Sequence, residues 1–304
     1  MTEKVFITGG SGLLGLNWAV AMRDRLKVVL GLHERDILLE GVRTQKINLE
    51  SVENIIEVFE ELAPTIIVHA AGYTDVELCE SNQSKARQVN INLANNVAKA
   101  CAAMGLPLIH ISTDHLYTGQ QSLQDESSIL SPVNVYGQTK AEAETYVLES
   151  HPNALVLRTN FFGWGTGYRH SFSDMIIASL RAGKKVKLFT DVFYTPILAE
   201  VLANAAHDLV KMRVSGVFNI VGDERISKHD FGVKVAKAFD LDAKLIIPSR
   251  LSDHAGLVKR PHDMSLLNQK AAQLLGRKFG NVDDNLHKLN LQEKNGYAQE
   301  IRII

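Results

Sequence analysis

The sequence predicts an α/β fold: a Rossmann-type doubly wound parallel sheet with a smaller C-terminal α/β substrate domain. Three observations predict it. Short apolar runs alternate with helix-patterned stretches along the chain, the signature of a parallel sheet with crossover helices. The first run, Lys4-Val5-Phe6-Ile7-Thr8, leads directly into glycines at 9, 12 and 15. A later run ends in the small residues Ala70, Ala71 and Gly72. In such sheets ligands bind at the C-terminal ends of the strands, where small residues let them come close. The 304 residues suit one large domain or two intertwined ones. The expected division puts residues 1–165, together with 192–221, in the nucleotide-binding part. Residues 166–191 and 222–304 form the substrate part.

Composition narrows the partners. The net charge is -1, with no run of like charge, which argues against a nucleic-acid or anionic-membrane surface. Cys79 and Cys101 give neither a disulfide framework nor a metal spacing, so a reducing compartment and a cytoplasmic setting are expected. The chain enters a strand pattern at once, with no signal peptide, and no apolar run approaches the ~20 residues of a membrane span. A homodimer stays open as the assembly.

The first turn, Gly9-Gly10-Ser11-Gly12-Leu13-Leu14-Gly15, spaces its glycines as G-x-x-G-x-x-G. Glycine lets backbone turn tightly against a pyrophosphate, and the following helix, from Leu13 to about Arg25, offers free N–H groups at its start. Ser11 and Leu13 are therefore candidate cofactor contacts. The second strand is Lys27–Leu32. It leads to His33-Glu34-Arg35-Asp36, about 20 residues after the glycine turn, where such folds meet the adenosine ribose. Glu34 suits a ribose 2′-hydroxyl and NAD. Arg35, helped by His33, suits a 2′-phosphate and NADP. The reading leans to NADP with NAD open; otherwise these charges are a solvated turn.

Val52 to Leu62 has helical spacing, and Thr65 to Gly72 reads as a buried strand. Ser84 to Met104 is a long helix pattern enclosing Asn90. Pro107 to Ser112 is the next strand, followed by Thr113-Asp114-His115-Leu116-Tyr117. At a strand's C-terminal edge the Thr113 hydroxyl can donate to a substrate carbonyl; alternatively it bonds its own turn. Tyr136 and Lys140 follow on helix-forming sequence, four apart and so on one face. A phenol titrates near 10, and a neighbouring ammonium lowers that, making the pair a general acid and its tuner. The plain alternative is a surface Tyr and a Lys one turn later.

In the second half, Asn153 to Thr159 is a strand. Asn160-Phe161-Phe162-Gly163-Trp164-Gly165 leaves it as an aromatic loop, a wall over a sugar or base, or simple packing. Helices are expected over Ser171–Ala182, Ile197–Met212 and Ser227–Phe239, and a strand over Gly216–Val221. Leu257 to Leu266 is a basic, Pro-containing loop whose Arg260 suits a diphosphate, or a surface position.

Taken in order, the Gly9/Gly12/Gly15 turn, His69-Ala70-Ala71-Gly72, Ser112-Thr113-Asp114 and Tyr136-x-x-x-Lys140 resemble the extended short-chain dehydrogenase/reductase family. Tyr136-Gly137-x-Thr139-Lys140, Arg158-Thr159, and Arg260-Pro261 followed by Ser265-x-Leu267 narrow the resemblance to its dTDP-4-dehydrorhamnose reductase branch, from about Lys4 to Leu289. The resemblance implies reduction of a 4-keto sugar nucleotide by NADPH or NADH. Tyr136 would donate the proton, Lys140 would bind the nicotinamide ribose and lower the Tyr136 pKa, and Thr113 would bond the keto oxygen. Tyr73, Asp114, His115, Phe161 and Arg260 would line the substrate, and Ala70, Ala71, Gly72, Asn48 and Leu49 the cofactor. The departures cluster around the sugar. His115-Leu116-Tyr117 replaces Tyr-Val-Phe, and Phe161 replaces a Trp. Val192 and Tyr194 replace a Gln and a Gly, and Asn48 replaces an Asp. They imply a changed sugar and unchanged chemistry. An epimerase or dehydratase of the same family is the first alternative. The second is a non-catalytic subunit, like the regulatory β-subunit of methionine adenosyltransferase.

Overall fold

β1, Lys4–Thr8, shows why the sheet is covered on both faces. Val5 and Ile7 enter one apolar cluster with Trp18, Leu30 and Val68, while Phe6 enters another with Val29, Phe59 and Ile67. Side chains alternate across a strand, so a continuous apolar run needs cover on both sides. The computed structural model describes residues 3–254 and 256–304.

The cover comes from the intervening segments. α1 (Leu13–Met22) leads to β2 (Lys27–Leu32) and β3 (Arg43–Lys46). α2 (Val52–Leu62) starts on a Ser51 cap that accepts from the Asn54 N–H, and β4 (Ile66–His69) follows. α3 (Val76–Ser81) and α4 (Gln83–Arg87) come next, then a π turn over Gln88–Asn92 and α5 (Leu93–Met104). β5 (Leu108–Ile111), α6 (Val135–Ser150) and β6 (Leu155–Arg158) complete this half.

The second half opens with β7 (Phe161–Phe162), α7 (Phe172–Arg181) and β8 (Val186–Phe189). β9 (Phe193–Tyr194), β10 (Ile197–Leu198), α8 (Ala199–Lys211), β11 (Gly216–Asn219), β12 (Ile226–Ser227) and α9 (Lys228–Ala238) follow. The chain closes with β13 (Ile246–Ser249), α10 (Gln269–Leu275), α11 (Val282–Lys294) and α12 (Tyr297–Arg302).

The sheet is seven-stranded and parallel, in the order β3-β2-β1-β4-β5-β6-β11. α2, α5 and α6 pack together over one face, and α1 meets α8 over the other. The order reverses between β1 and β4, the kind of switch point at whose carboxyl ends doubly wound sheets bind ligands. The remaining strands form three small ladders, β7 with β10, β9 with β12, and β8 with β13. The larger apolar cluster runs from Val5 to Ile301 and crosses the expected division of the chain.

Two elements differ from expectation. β3, with the sequence Arg-Thr-Gln-Lys, lies at the sheet edge with no apolar alternation to announce it. The helix expected over 84–104 is broken by the π turn, and Asn90 sits in that turn. Its side-chain oxygen accepts from the Tyr73 N–H at 2.7 Å, and its amide donates to the Tyr73 carbonyl and the Thr139 hydroxyl. Widening the helix by one residue is what aims this amide at α6 and the β4 loop.

Candidate active site

The glycine turn closes on itself. Gly9 has φ +67°, and a Cβ there would lie 2.7 Å from the Ala71 backbone across the switch point. Cβ atoms on Gly12 and Gly15 would meet the Gly9 carbonyl at 3.0 and 2.9 Å. Gly12 caps α1 without a side-chain hydrogen bond, so the first-turn N–H groups stay free for an anion. Ser11 and Leu13 lie in this turn, and the Ser11 carbonyl accepts from the Tyr168 hydroxyl at 2.6 Å. Ala70, Ala71 and Gly72 are half-buried on the facing strand end.

Beyond β2, the Arg35 guanidinium lies 3.8 Å from the centre of the Tyr168 ring. His33 is exposed and sits against the Glu34 carboxylate at 3.8 Å, not beside Arg35. Asn48 is exposed, with its N–H bonded to Asn54, and Leu49 is half-buried next to it.

Thr113 and Asp114 leave β5 buried, and Tyr136 and Lys140 are buried on α6. Asn134 caps α6 by accepting from the Gly137 N–H, and a Cβ on Gly137 would collide with the His115 carbonyl. α6 therefore lies hard against the loop carrying Thr113, which brings the Tyr136 phenol near the Thr113 hydroxyl. Burial pushes that phenol up to about 12, and the neighbouring Thr113 hydroxyl offsets only part of the rise. The Lys140 ammonium donates to the Ile111 carbonyl at 2.7 Å and lies 3.4 Å from His110 Nε2. Burial lowers Lys140 to about 8 and the adjoining His69 to about 3, so the imidazoles beneath the ammonium are neutral. His69 and His110 stack at 5.5 Å.

The sugar-side candidates fall into two groups. Asp114 and His115 join Tyr136: the His115 ring meets the Tyr136 ring edge-on at 5.4 Å, and Asn160 donates to Asp114 at 2.5 Å. Burial raises Asp114 to about 6 and lowers His115 to about 3. Tyr73 approaches through Asn90, and its ring faces the Lys85 ammonium at 5.2 Å. Arg260 is committed to Glu77 at 2.5 Å, so its charge is already balanced and the free diphosphate clamp expected from sequence is not formed. Phe161 is half-buried in the β7–β10 ladder. Val192 and Tyr194, two of the departures expected to alter the sugar, are core residues at 4% and 2% exposure.

Three residues escaped the sequence reading. Asn90 left a trace, a polar residue inside an apolar-periodic helix. Glu144, two turns beyond Tyr136, left none. It is buried, takes Arg158 at 2.7 Å and the Ser112 hydroxyl at 2.5 Å, and so ties α6 to β5 and β6. Lys228 opens α9, and its ammonium lies 3.4 Å from the centre of the Tyr194 ring. The two meet through the β9–β12 pairing, which no local pattern announces.

As an arrangement, Thr113 and Tyr136 present two hydroxyls to one point at the strand end, which suits a carbonyl oxygen that gains a proton. Comparison with known proteins shows the family. Probable low-salt glycan biosynthesis reductase Agl14 of Haloferax volcanii is 29% identical over 288 residues, 93% of this chain and 96% of that protein. dTDP-4-dehydrorhamnose reductase of Aggregatibacter actinomycetemcomitans is 28% identical, over 90% of this chain and 93% of that one. Methionine adenosyltransferase 2 subunit beta of Rattus norvegicus is 28% identical, over 87% and 80%. The crystal structure of a dTDP-4-dehydrorhamnose reductase from Bacillus anthracis in complex with NADP shares the fold, with a TM-score of 0.85 at 22% identity, over 96% of this chain and 100% of that one. The model of the RmlD substrate binding domain family matches residues 3–292, and the chain belongs to that family.

Proposed function

We propose that this protein reduces a keto group on a nucleotide-activated sugar, taking hydride from NADPH, with NADH as the possible substitute. The observation that carries the reading is the buried Tyr136 phenol on α6, packed against the Thr113 loop at the end of β5, with Lys140 one turn along the same helix. The named reductases among its relatives support it.

The residues present fit a dinucleotide. The uncapped start of α1 and the side-chain-free turn at Gly9, Gly12 and Gly15 suit a pyrophosphate. Arg35 suits the 2′-phosphate that distinguishes NADP, and the dinucleotide would supply the hydride. The chain's own residues do the rest. Thr113 donates to the keto oxygen and fixes its position, and Tyr136 gives that oxygen its proton. A phenol held near 12 is protonated throughout the neutral range, as a proton donor must be. Lys140, anchored by Ile111 and His110, sets the helix face on which Tyr136 stands. We infer the division of the chain into a nucleotide part and a substrate part on the same footing, with Arg260, Phe161 and Tyr73 at the border.

One observation favours a second reading. A relative of comparable identity is named as a subunit of methionine adenosyltransferase, which fits a non-catalytic nucleotide-binding role. The intact Thr113, Tyr136 and Lys140 set weighs against it. Steady-state oxidation of NADPH with a panel of keto sugar nucleotides separates them. Turnover of at least one member is expected, with dTDP-4-dehydrorhamnose a poor substrate. Tight NADPH binding with no turnover of any member overturns the reductase reading. Interconversion of sugars without net NADPH loss points to an epimerase.

A further inference from the structure

Lys228 is an anomaly in the site. A lysine with a structural role keeps its ammonium in water or on a carboxylate. This one lies over the face of Tyr194 at 3.4 Å and near Phe172 at 4.8 Å. Among the described residues, its ammonium has neither a hydrogen-bond acceptor nor an ion-pair partner. Its backbone is fixed: the Lys228 N–H donates to the Val192 carbonyl, and Ser227 caps the helix it begins. The charge faces Asp114, which is 2% exposed and bonds Asn160 through Oδ2. Asp114 Oδ1 has only the Thr113 hydroxyl at 3.4 Å and the His115 ring at 4.0 Å. A donor without an acceptor and an acceptor without a good donor thus face one another next to Tyr136, and they do not close into a salt bridge. Lys228 is half-buried, so its ammonium and Asp114 Oδ1 both keep capacity for a polar group of a ligand placed between them.

We propose that Lys228 is a specificity-determining residue: together with Asp114 it holds one hydroxyl of the sugar beside the reacting carbonyl, Lys228 donating to that oxygen and Asp114 accepting its proton. The inference rests on the keto-sugar reading and deepens it. On a 4-keto pyranose the neighbouring carbon that carries a hydroxyl is carbon 3. Tyr194 and Phe172 serve as the surface that keeps the ammonium aimed, and Asn160 keeps the carboxylate turned. A sugar lacking that hydroxyl leaves both charges unanswered, and a site of this kind discriminates strongly against such a ligand.

The test compares dTDP-4-keto-6-deoxyglucose with its 3-deoxy counterpart, and the same pair linked to UDP. Wild-type protein, Lys228→Met and Lys228→Gln are each assayed for NADPH affinity, for sugar-nucleotide affinity by calorimetry, and for kcat and KM. NADPH affinity should be the same in all three, which also shows that the variants fold. The wild type should favour the hydroxylated sugar at least about tenfold in affinity. Lys228→Met should erase that preference through KM, and Lys228→Gln, which keeps an N–H donor, should restore part of it. Equal loss for both sugars in Lys228→Met, or no loss, overturns the proposal. Calorimetry separates the two readings: a preference that depends on Lys228 without turnover of either sugar supports the inference and removes the reductase function.

Discussion

Two tyrosine-lysine pairs stand on either side of Asp114, and they are built in opposite ways. Tyr136 and Lys140 come from one helix, four residues apart. The Lys140 ammonium is engaged by Ile111 and His110, and the Tyr136 phenol stands beside the Thr113 loop. Tyr194 comes from β9 and Lys228 from the first turn of α9, and the two meet only in the fold. Among the described residues the buried Tyr194 hydroxyl has no partner, and the Lys228 ammonium rests on the ring face. Burial lowers both lysines to about 8 and raises both phenols. The same two side chains thus give a hydroxyl aimed at a substrate in one place and an ammonium aimed at it in the other. What decides is which polar atom the surrounding backbone has already claimed.

The comparison breaks most sharply at the phenols. Tyr136→Phe should keep NADPH binding and lose at least about a hundredfold in kcat, the low end for a general acid. Near-normal reduction by the variant would remove Tyr136 from the chemistry. Lys140→Met should cost about tenfold or more in both rate and cofactor affinity. It should also cost about 1–3 kcal/mol of stability, because the Ile111 carbonyl is left buried and unpaired. Loss of rate with unchanged cofactor affinity and denaturation midpoint would show that its anchoring contacts are incidental.

A third cation on a ring, Arg35 on Tyr168, extends the comparison to the nucleotide end. Arg35→Ala should weaken NADPH binding roughly tenfold to a hundredfold more than NADH binding, the worth of a charge-assisted pair. Equal weakening would leave Arg35 as a surface charge stacked on a tyrosine. The smallest effect belongs to Tyr194→Phe. It keeps the ring face under Lys228 and deletes a hydroxyl that has no partner. Turnover within about twofold of wild type and an unchanged or raised Tm are expected. A large loss of kcat would mean that the Tyr194 hydroxyl, not only its ring, serves the site.

The nucleotide half was legible because its signals are local. Three glycines between a strand and a helix, and a Tyr and Lys one turn apart, each lie within a few residues; the glycines fall where the strand order reverses, and the Tyr and Lys beside the end of β5. The sugar side was not legible in the same way. Arg260 looked like a free cation because Glu77, which neutralises it, lies 183 positions away. Val192 and Tyr194 looked like pocket walls, yet the β9–β12 ladder turns both into the core. Lys228 attracted no reading, because the ring under its ammonium comes from β9. Asn90 was visible as an oddity, but the π turn that aims it depends on a fit to α6 that no periodicity encodes.

The buried pair of Arg158 and Glu144 limits how this protein can change over evolutionary time. Replacing either partner alone strands a charge inside the molecule, at a cost of about 3–5 kcal/mol, a large share of the stability of a typical domain. Single substitutions there are blocked, and a viable descendant has to alter both positions almost together. Half-buried uncharged side chains near the strand ends, such as Tyr73 and Phe161, carry no such charge coupling and are open to change one at a time. New substrate preferences can therefore arise in small steps, on a frame that holds Thr113 and Tyr136 where they are.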